Sequence, residues 1–183
     1  MDLNLKGKTA LVMGASQGIG KAIAEALISE GVKVALCSRS ADKLKKTCEE
    51  ISADTFFAAD LSSDGAGKEV TEKAIAHFGK LDILVTNTGG PDKNNFLEVS
   101  SQQWRTDFNS LWLSLTESLQ AALPSMQKNQ YGRVLMVTSI AAIEPLPGLT
   151  TSNGLRAGLS GLARSISNEF AADGITLNLL LPG

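Results

Sequence analysis

Residues 9–20 read Thr9-Ala10-Leu11-Val12-Met13-Gly14-Ala15-Ser16-Gln17-Gly18-Ile19-Gly20, and a helical pattern carried by Ala22, Ile23, Ala26 and Leu27 follows at once. A short apolar run, a glycine-rich turn and an amphipathic stretch in this order make the opening of a β-α unit. Glycines at G-x3-G-x-G spacing allow a tight turn, let backbone approach a pyrophosphate and let helix and sheet pack closely. The free amides and dipole of the helix N-terminus favour the anion. Gly14, Ser16, Gln17, Gly18, Ile19 and Gly20 are therefore candidate phosphate contacts. A glycine-rich turn in some other α/β protein is the competing reading of the same residues.

The alternation continues along the chain. Strands are expected at Thr9–Met13, Lys33–Ser38, Thr55–Ala59, Ile83–Thr86, Val134–Thr138 and Thr176–Leu181. Helices are expected near Ile19–Glu30, Ala41–Ser52, Gly67–Phe78, Ser101–Asn129 and Ser152–Ala172. This is the pattern of an α/β fold, a parallel sheet with helices on both faces. Pro124 removes a backbone donor from the fourth helix, which is expected to kink or end there. No repeat, charge block or low-complexity tract marks a linker, so residues 1–183 are read as a single domain. Gly183 follows directly on a strand, and the natural polypeptide is expected to continue beyond it, since Leu177, Leu179 and Leu181 would otherwise form an exposed apolar edge.

Composition excludes several functions. With 17 basic and 19 acidic residues the net charge is -2, which gives no general attraction to nucleic acid or anionic lipid. The start, Met1-Asp2-Leu3-Asn4-Leu5-Lys6-Gly7-Lys8, is no secretory leader, and no apolar run is long enough for a membrane helix, so the cytoplasm is the expected location. Cys37 and Cys48 form no metal-binding or disulfide pattern, and a single histidine, His77, rules out a Ser-His-Asp triad or multi-histidine metal site. His77 reads as a partner of a helix C-terminus, and Trp104 with Trp112 as core or subunit-contact packing.

Other elements carry a resemblance. Gly14-x3-Gly18-Ile19-Gly20 after the first strand, Asp60-Leu61 after the third, Asn87-Thr88-Gly89-Gly90 after the fourth, Asn109 in the fourth helix, Ser139 ending the fifth strand, and Asn178 through Pro182-Gly183 occur in the order and at the intervals of one family. The sequence resembles the classical short-chain dehydrogenases/reductases over essentially its whole length, and among them the 3-oxoacyl-acyl-carrier-protein reductases. Met13, Thr88 and Gly89 depart from the family's usual residues. The resemblance implies a doubly wound Rossmann fold whose C-terminal end is missing here, and a nicotinamide cofactor. It implies adenine binding at Asp60 and Leu61, cofactor contacts at Asn87, Gly89, Pro182 and Gly183, and catalytic roles for Asn109 and Ser139. It also implies pairing of long helices across a two-fold axis into a homodimer or homotetramer. The second strand ends in Ser38-Arg39-Ser40, where hydroxyls and a fixed cation suit a 2′-phosphate, so NADP(H) is favoured over NAD(H).

The resemblance breaks at the proton donor. The family's Tyr-x-x-x-Lys places a phenol and an ammonium one helical turn apart, the cation lowering the phenol's pKa from ~10 and holding the nicotinamide ribose. Thirteen residues after Ser139 this chain has Ser152 at the Tyr position and Arg156 at the Lys position, and its one tyrosine, Tyr131, precedes the fifth strand. Serine is a far weaker acid, and a guanidinium releases no proton at working pH. Arg156 is left to hold ribose, Ser152 to act in catalysis or as an N-cap, and Glu144, if a lid encloses it, to supply the acid. Two functions follow. One is an NADP(H)-dependent oxidoreductase acting on a small carbonyl or alcohol such as a 3-oxoacyl thioester. The other is a dinucleotide-binding protein without hydride transfer, a sensor or structural partner.

Overall fold

Strands β1 (Thr9–Met13) and β4 (Ile83–Thr86) are buried along their whole lengths, as apolar runs covered on both faces must be. With β2 (Lys33–Ser38), β3 (Thr55–Ala58), β5 (Gly132–Val137) and β6 (Ile175–Leu180) they form one sheet in the order β3-β2-β1-β4-β5-β6. Every neighbouring pair is parallel. This is the expected doubly wound Rossmann sheet. A computed structural model describes residues 3–183; Met1 and Asp2 of the N-terminal reading lie outside the described residues.

Helices cover both faces because successive strand residues point to opposite sides. Leu11, Met13, Ala35, Leu84 and Met136 meet α3 (Ala66–Phe78), α5 (Ser114–Lys128) and α6 (Thr150–Phe170) on one face. Ala10, Val12, Val34, Leu36 and Val85 meet α1 (Gly18–Ser29) and α2 (Ala41–Ile51) on the other. Among the described residues no helix is long and apolar enough to cross a membrane. Burial pushes the Cys37 thiol, inside β2, up to about 12. His77 sits in the last turn of α3, edge-on to Phe57 and Phe78.

Three local expectations are corrected. The long fourth helix does not end at Pro124; α5 runs on to Lys128, because Leu123 and Met126 are buried and hold the last turn through packing. The helix changes character earlier instead, where α4 (Ser101–Phe108) passes through a π-helical turn (Asn109–Leu113) into α5. The apolar edge on β6 is also smaller than expected. Leu177 and Leu179 pack against the core below α6, and the open face carries Thr176, Asn178 and Leu180. Ser152 is no N-cap, since α6 already begins at Thr150. The backbone of Asn94, one residue of a bridge to Leu149, accepts the Thr150 N–H at 3.5 Å and takes up the capping from outside the helix.

Candidate active site

The strand order reverses between β1 and β4, and at such a switch point the chain opens a cleft beyond the strand ends. The glycine turn follows β1 and Asn87 follows β4, and the Asn87 side-chain amide donates to the Gly14 carbonyl at 3.5 Å. A Cβ on Gly14, whose φ is +60, would come within 2.6 Å of Asn87 Nδ2, and one on Gly20 would collide with the Gly14 carbonyl. Only hydrogen fits at either place. Gln17 is the N-cap of α1 but its side chain caps none of the first-turn N–H groups. Ser16 is held from behind, its carbonyl accepting from Thr47 Oγ1 of α2 at 2.9 Å. A backbone cradle with open amides at a helix start fits a pyrophosphate. Gly20→Ala is expected to destabilise the fold by about 1–3 kcal/mol through this overpacking and to abolish dinucleotide binding. Thermal melting and an NADPH titration of the variant check both effects.

A cleft of about 460 Å³ runs from this turn across the ends of the strands. It brings together Gly14, Ser16, Gln17, Ser38, Arg39, Asp60, Leu61, Asn87 and Gly89 from the expected cofactor set. Gly18 and Ile19 lie outside its lining, as does Gly20, which acts through packing instead. Ser38 Oγ is buried there without a hydrogen-bond partner, an orphan that a bound ribose or phosphate oxygen would satisfy. The Asp60 carboxyl lies below the usual carboxylate value. The Ser62 backbone N–H is the chief cause and the Ser62 hydroxyl the next, donating to Oδ1 at 3.0 and 2.8 Å; burial opposes them and the Arg39 charge adds to them.

The cleft also contains residues that the motif reading passed over. Ser40 and Lys43 stand beside Arg39 at the β2 end, Ser40 as the N-cap of α2 and Lys43 one turn inside it. Lys43 is thus a second cation at the place where the sequence offered only one. The signal was there: a cation three residues into a helix that starts at the end of β2 faces the same way as its cap. On the opposite wall stand Gln103, Thr106, Asp107 and Ser110. Their spacing is one polar face of a helix.

Ser139, Ser152, Arg156, Pro182 and Gly183 lie outside the lining of this cleft; Ser139 follows β5 and Ser152 lies inside α6. Ser139 caps a short 3-10 turn (Ile140–Ala142), its Oγ accepting the Ala141 N–H at 3.1 Å. Pro182 is fixed beside it, its carbonyl accepting the Ile140 N–H at 2.9 Å, with Gly183 next in the chain. Ser152 and Arg156 are one turn apart inside α6 and are 4% and 6% exposed. Arg156 Nε donates to Ser152 Oγ at 3.1 Å, and Nη1 reaches the Val137 carbonyl at 3.5 Å, at the end of β5. Among the described residues no carboxylate pairs with this guanidinium, and burial lowers its pKa.

Two candidates make no hydrogen bond to these groups. The π-turn starts at Asn109, and its amide donates to Asp64 Oδ1 at 3.0 Å, just before α3. Glu144 is on the surface, with no enclosure to make it an acid. Trp112 packs on the core and stacks on Phe108 at 6.0 Å between ring centres, in keeping with a packing role.

Comparison with known proteins places this architecture. Residues 8–183 match the family model of the short chain dehydrogenases. The chain is 31% identical over 182 residues to the 3-oxoacyl-[acyl-carrier-protein] reductase FabG of Escherichia coli K12, an alignment covering 99% of this chain and 75% of that protein. The crystal structure of a 3-oxoacyl (acyl-carrier-protein) reductase from Agrobacterium tumefaciens C58 with NADP bound superposes with a TM-score of 0.94 at 33% identity, over 98% of this chain and 70% of that one. L-Sorbose reductase from Gluconobacter frateurii, complexed with NADPH and L-sorbose, gives a TM-score of 0.93 at 28% identity over 100% and 72%. The chain belongs to the short-chain dehydrogenases, a family of oxidoreductases, and the cofactor of that class is a nicotinamide dinucleotide.

Proposed function

We propose that the protein is an NADP(H)-dependent oxidoreductase that transfers hydride to or from a small carbonyl or alcohol such as a 3-oxoacyl thioester. The observation that carries the cofactor choice is the β2 end, where Arg39 and Lys43 flank two serine hydroxyls in one cleft. Fixed cations and hydroxyl donors match a 2′-phosphate, whereas an NAD(H) site calls for a carboxylate there. NADP and NADPH in the two neighbouring structures support the same choice, and the reductase from E. coli supports the substrate class.

The dinucleotide, when bound, supplies or accepts hydride at its nicotinamide ring. Gly14, Ser16 and the start of α1 would hold its pyrophosphate, Asp60 and Leu61 would meet its adenine, and Asn87 and Gly89 would contact it from the end of β4. Ser139 Oγ already accepts the Ala141 N–H, so its own proton is directed to an acceptor oxygen such as a substrate carbonyl. Arg156 is a buried cation one turn from Ser152 and stabilises negative charge on that oxygen without releasing a proton. The proton comes from solvent, since neither Ser152 nor Arg156 is an adequate acid. This route is slow for want of a general acid. The active unit is a homodimer or homotetramer in the cytoplasm, with no nucleic acid or membrane partner.

A second reading follows from the Ser152–Arg156 bond itself. The pair has each other for a partner and no phenol beside it, an arrangement that suits a dinucleotide-binding sensor or structural partner. Titration with NADPH and NADH, followed by a panel of ketones and 3-oxoacyl thioesters, separates the two. Tighter NADPH binding with turnover is the expected result. Tight NADPH binding with no turnover selects the second reading, and no binding of either dinucleotide overturns both.

A further inference from the structure

The loop that joins the two serines of the proposed site is held at its middle by one side chain. Residues 143–149 run from the 3-10 turn that Ser139 caps to the start of α6, which carries Ser152 in its first turn. Packing does little to hold them, since Ile143 is 72% exposed and Glu144, Pro145 and Pro147 are exposed as well. The two prolines leave Leu146 as the only backbone donor between Glu144 and Gly148. That N–H donates to Asn153 Oδ1 at 3.2 Å, and Asn153 Nδ2 donates back to the Leu146 carbonyl at 2.9 Å. The side-chain amide thus pairs with Leu146 as a neighbouring strand residue would. Asn153 is itself fixed in α6, its N–H donating to the Leu149 carbonyl at 2.8 Å. A second tie lies at the far end of the loop, where the Asn94 N–H donates to the Gly148 carbonyl at 2.8 Å.

We infer that Asn153 is a positioning residue for the substrate: through Leu146 it keeps residues 143–149 in one arrangement between Ser139 and Ser152 before substrate arrives. The inference rests on the proposed oxidoreductase reading, in which the carbonyl oxygen lies at these serines. Freed from Asn153, the loop would sample many arrangements, and only the fraction already in the right one would bind substrate. The cost of ordering it would then be drawn from substrate binding. Such a loss raises KM and leaves the chemical step as it is. The dinucleotide is outside this effect, because no residue from 140 to 153 lines the cofactor cleft. Ser152 is outside it too, since its Oγ is held by Arg156 and not by Asn153.

The test measures steady-state reduction of acetoacetyl-coenzyme A, a 3-oxoacyl thioester, and NADPH affinity in the native protein, Asn153→Ala and Asn153→Asp. Asn153→Ala removes both bonds to Leu146. Asn153→Asp keeps an acceptor for the Leu146 N–H and sets a carboxylate oxygen against the Leu146 carbonyl. Each is expected to raise KM for the thioester about tenfold, the factor that one or two lost hydrogen bonds carry, with kcat and the NADPH dissociation constant little changed. A residue that only holds the fold would lower the melting temperature without moving KM, or would weaken thioester and NADPH together. Either result overturns the role of Asn153 and leaves the oxidoreductase reading standing, as does a fall in kcat at unchanged KM. If Asn153→Ala does not melt cooperatively, Asn153→Asp decides, and loss of folding in both overturns the role as well. No reduction of the thioester by the native protein overturns the 3-oxoacyl thioester reading itself and this inference with it.

Discussion

Ser152→Tyr combined with Arg156→Lys is expected to raise carbonyl reduction by about 10²–10⁴-fold, the usual contribution of a well-placed general acid. Both changes are needed. Arg156 Nε sits 3.1 Å from Ser152 Oγ in a buried site, so the guanidinium occupies the space beside the hydroxyl into which a ring must grow. Ser152→Tyr alone should lower the melting temperature and give little rate, because overpacking and a displaced cation act together. Lysine at 156 leaves that space, keeps a positive charge one turn away and lowers the phenol's pKa toward neutrality. Steady-state rates on one ketone, together with NADPH affinity, distinguish a gain in chemistry from a gain in binding. Ser152→Ala should leave the native rate little changed. An abolished rate in Ser152→Ala would contradict the argument, since it would make the serine an essential donor.

The second large effect is expected at the end of β2. Arg39→Asp should reverse the preference from NADPH to NADH, with a loss of about 1.5–3 kcal/mol in NADPH binding, the value of a charge-assisted contact. The new carboxylate accepts from the ribose hydroxyls and repels the 2′-phosphate. Lys43 retains part of the attraction, so adding Lys43→Ala should widen the reversal. Equal affinities for the two dinucleotides in native protein and variant would remove Arg39 from the site. The change also acts on Asp60, whose carboxyl the Arg39 charge helps to hold below its ordinary value. A carboxyl with a lowered folded pKa contributes stability above its unfolded pKa of about 4 and loses it as the pH falls further. Arg39→Asp should therefore lower stability near neutral pH, and the difference from the native protein should shrink as the pH falls below about 4, which a melting series against pH reads.

The sheet could be read closely because β1, β2 and β4 are continuous apolar runs between turn residues, and their bounds are those expected. β5 starts at Gly132, before the expected Val134, since Gly132 offers no side chain to mark the strand, and β6 starts at Ile175, one residue before the expected Thr176. The glycine turn, Ser38 and Arg39 were legible because backbone freedom and charge at strand ends are local properties, and Asp60 and Asn87 through the family resemblance. What depends on contact across the fold was not. Nothing near Ser152 in the chain announces that Asn94 caps its helix. The π-turn at Asn109 could not be read, because apolar periodicity runs unbroken from α4 into α5 and a five-residue π-turn leaves no mark on it. The polar spacing of residues 103, 106, 107 and 110 is a local signal for the cleft-facing side of α4.

That π-turn amounts to one extra residue in an otherwise continuous α-helix. Each α-helical residue advances the helix by about 100°. Thus Asn109–Leu113 lets α4 present Gln103 and Asp107 to the cleft while α5 presents Leu115 and Leu119 to the core. A single insertion or deletion inside this turn is a dial on ligand recognition: it would swing the whole polar face of α4 by about a quarter turn and leave the core of α5 untouched. Relatives differing by one residue at this point would share the sheet and the glycine turn yet offer the cleft a different set of side chains.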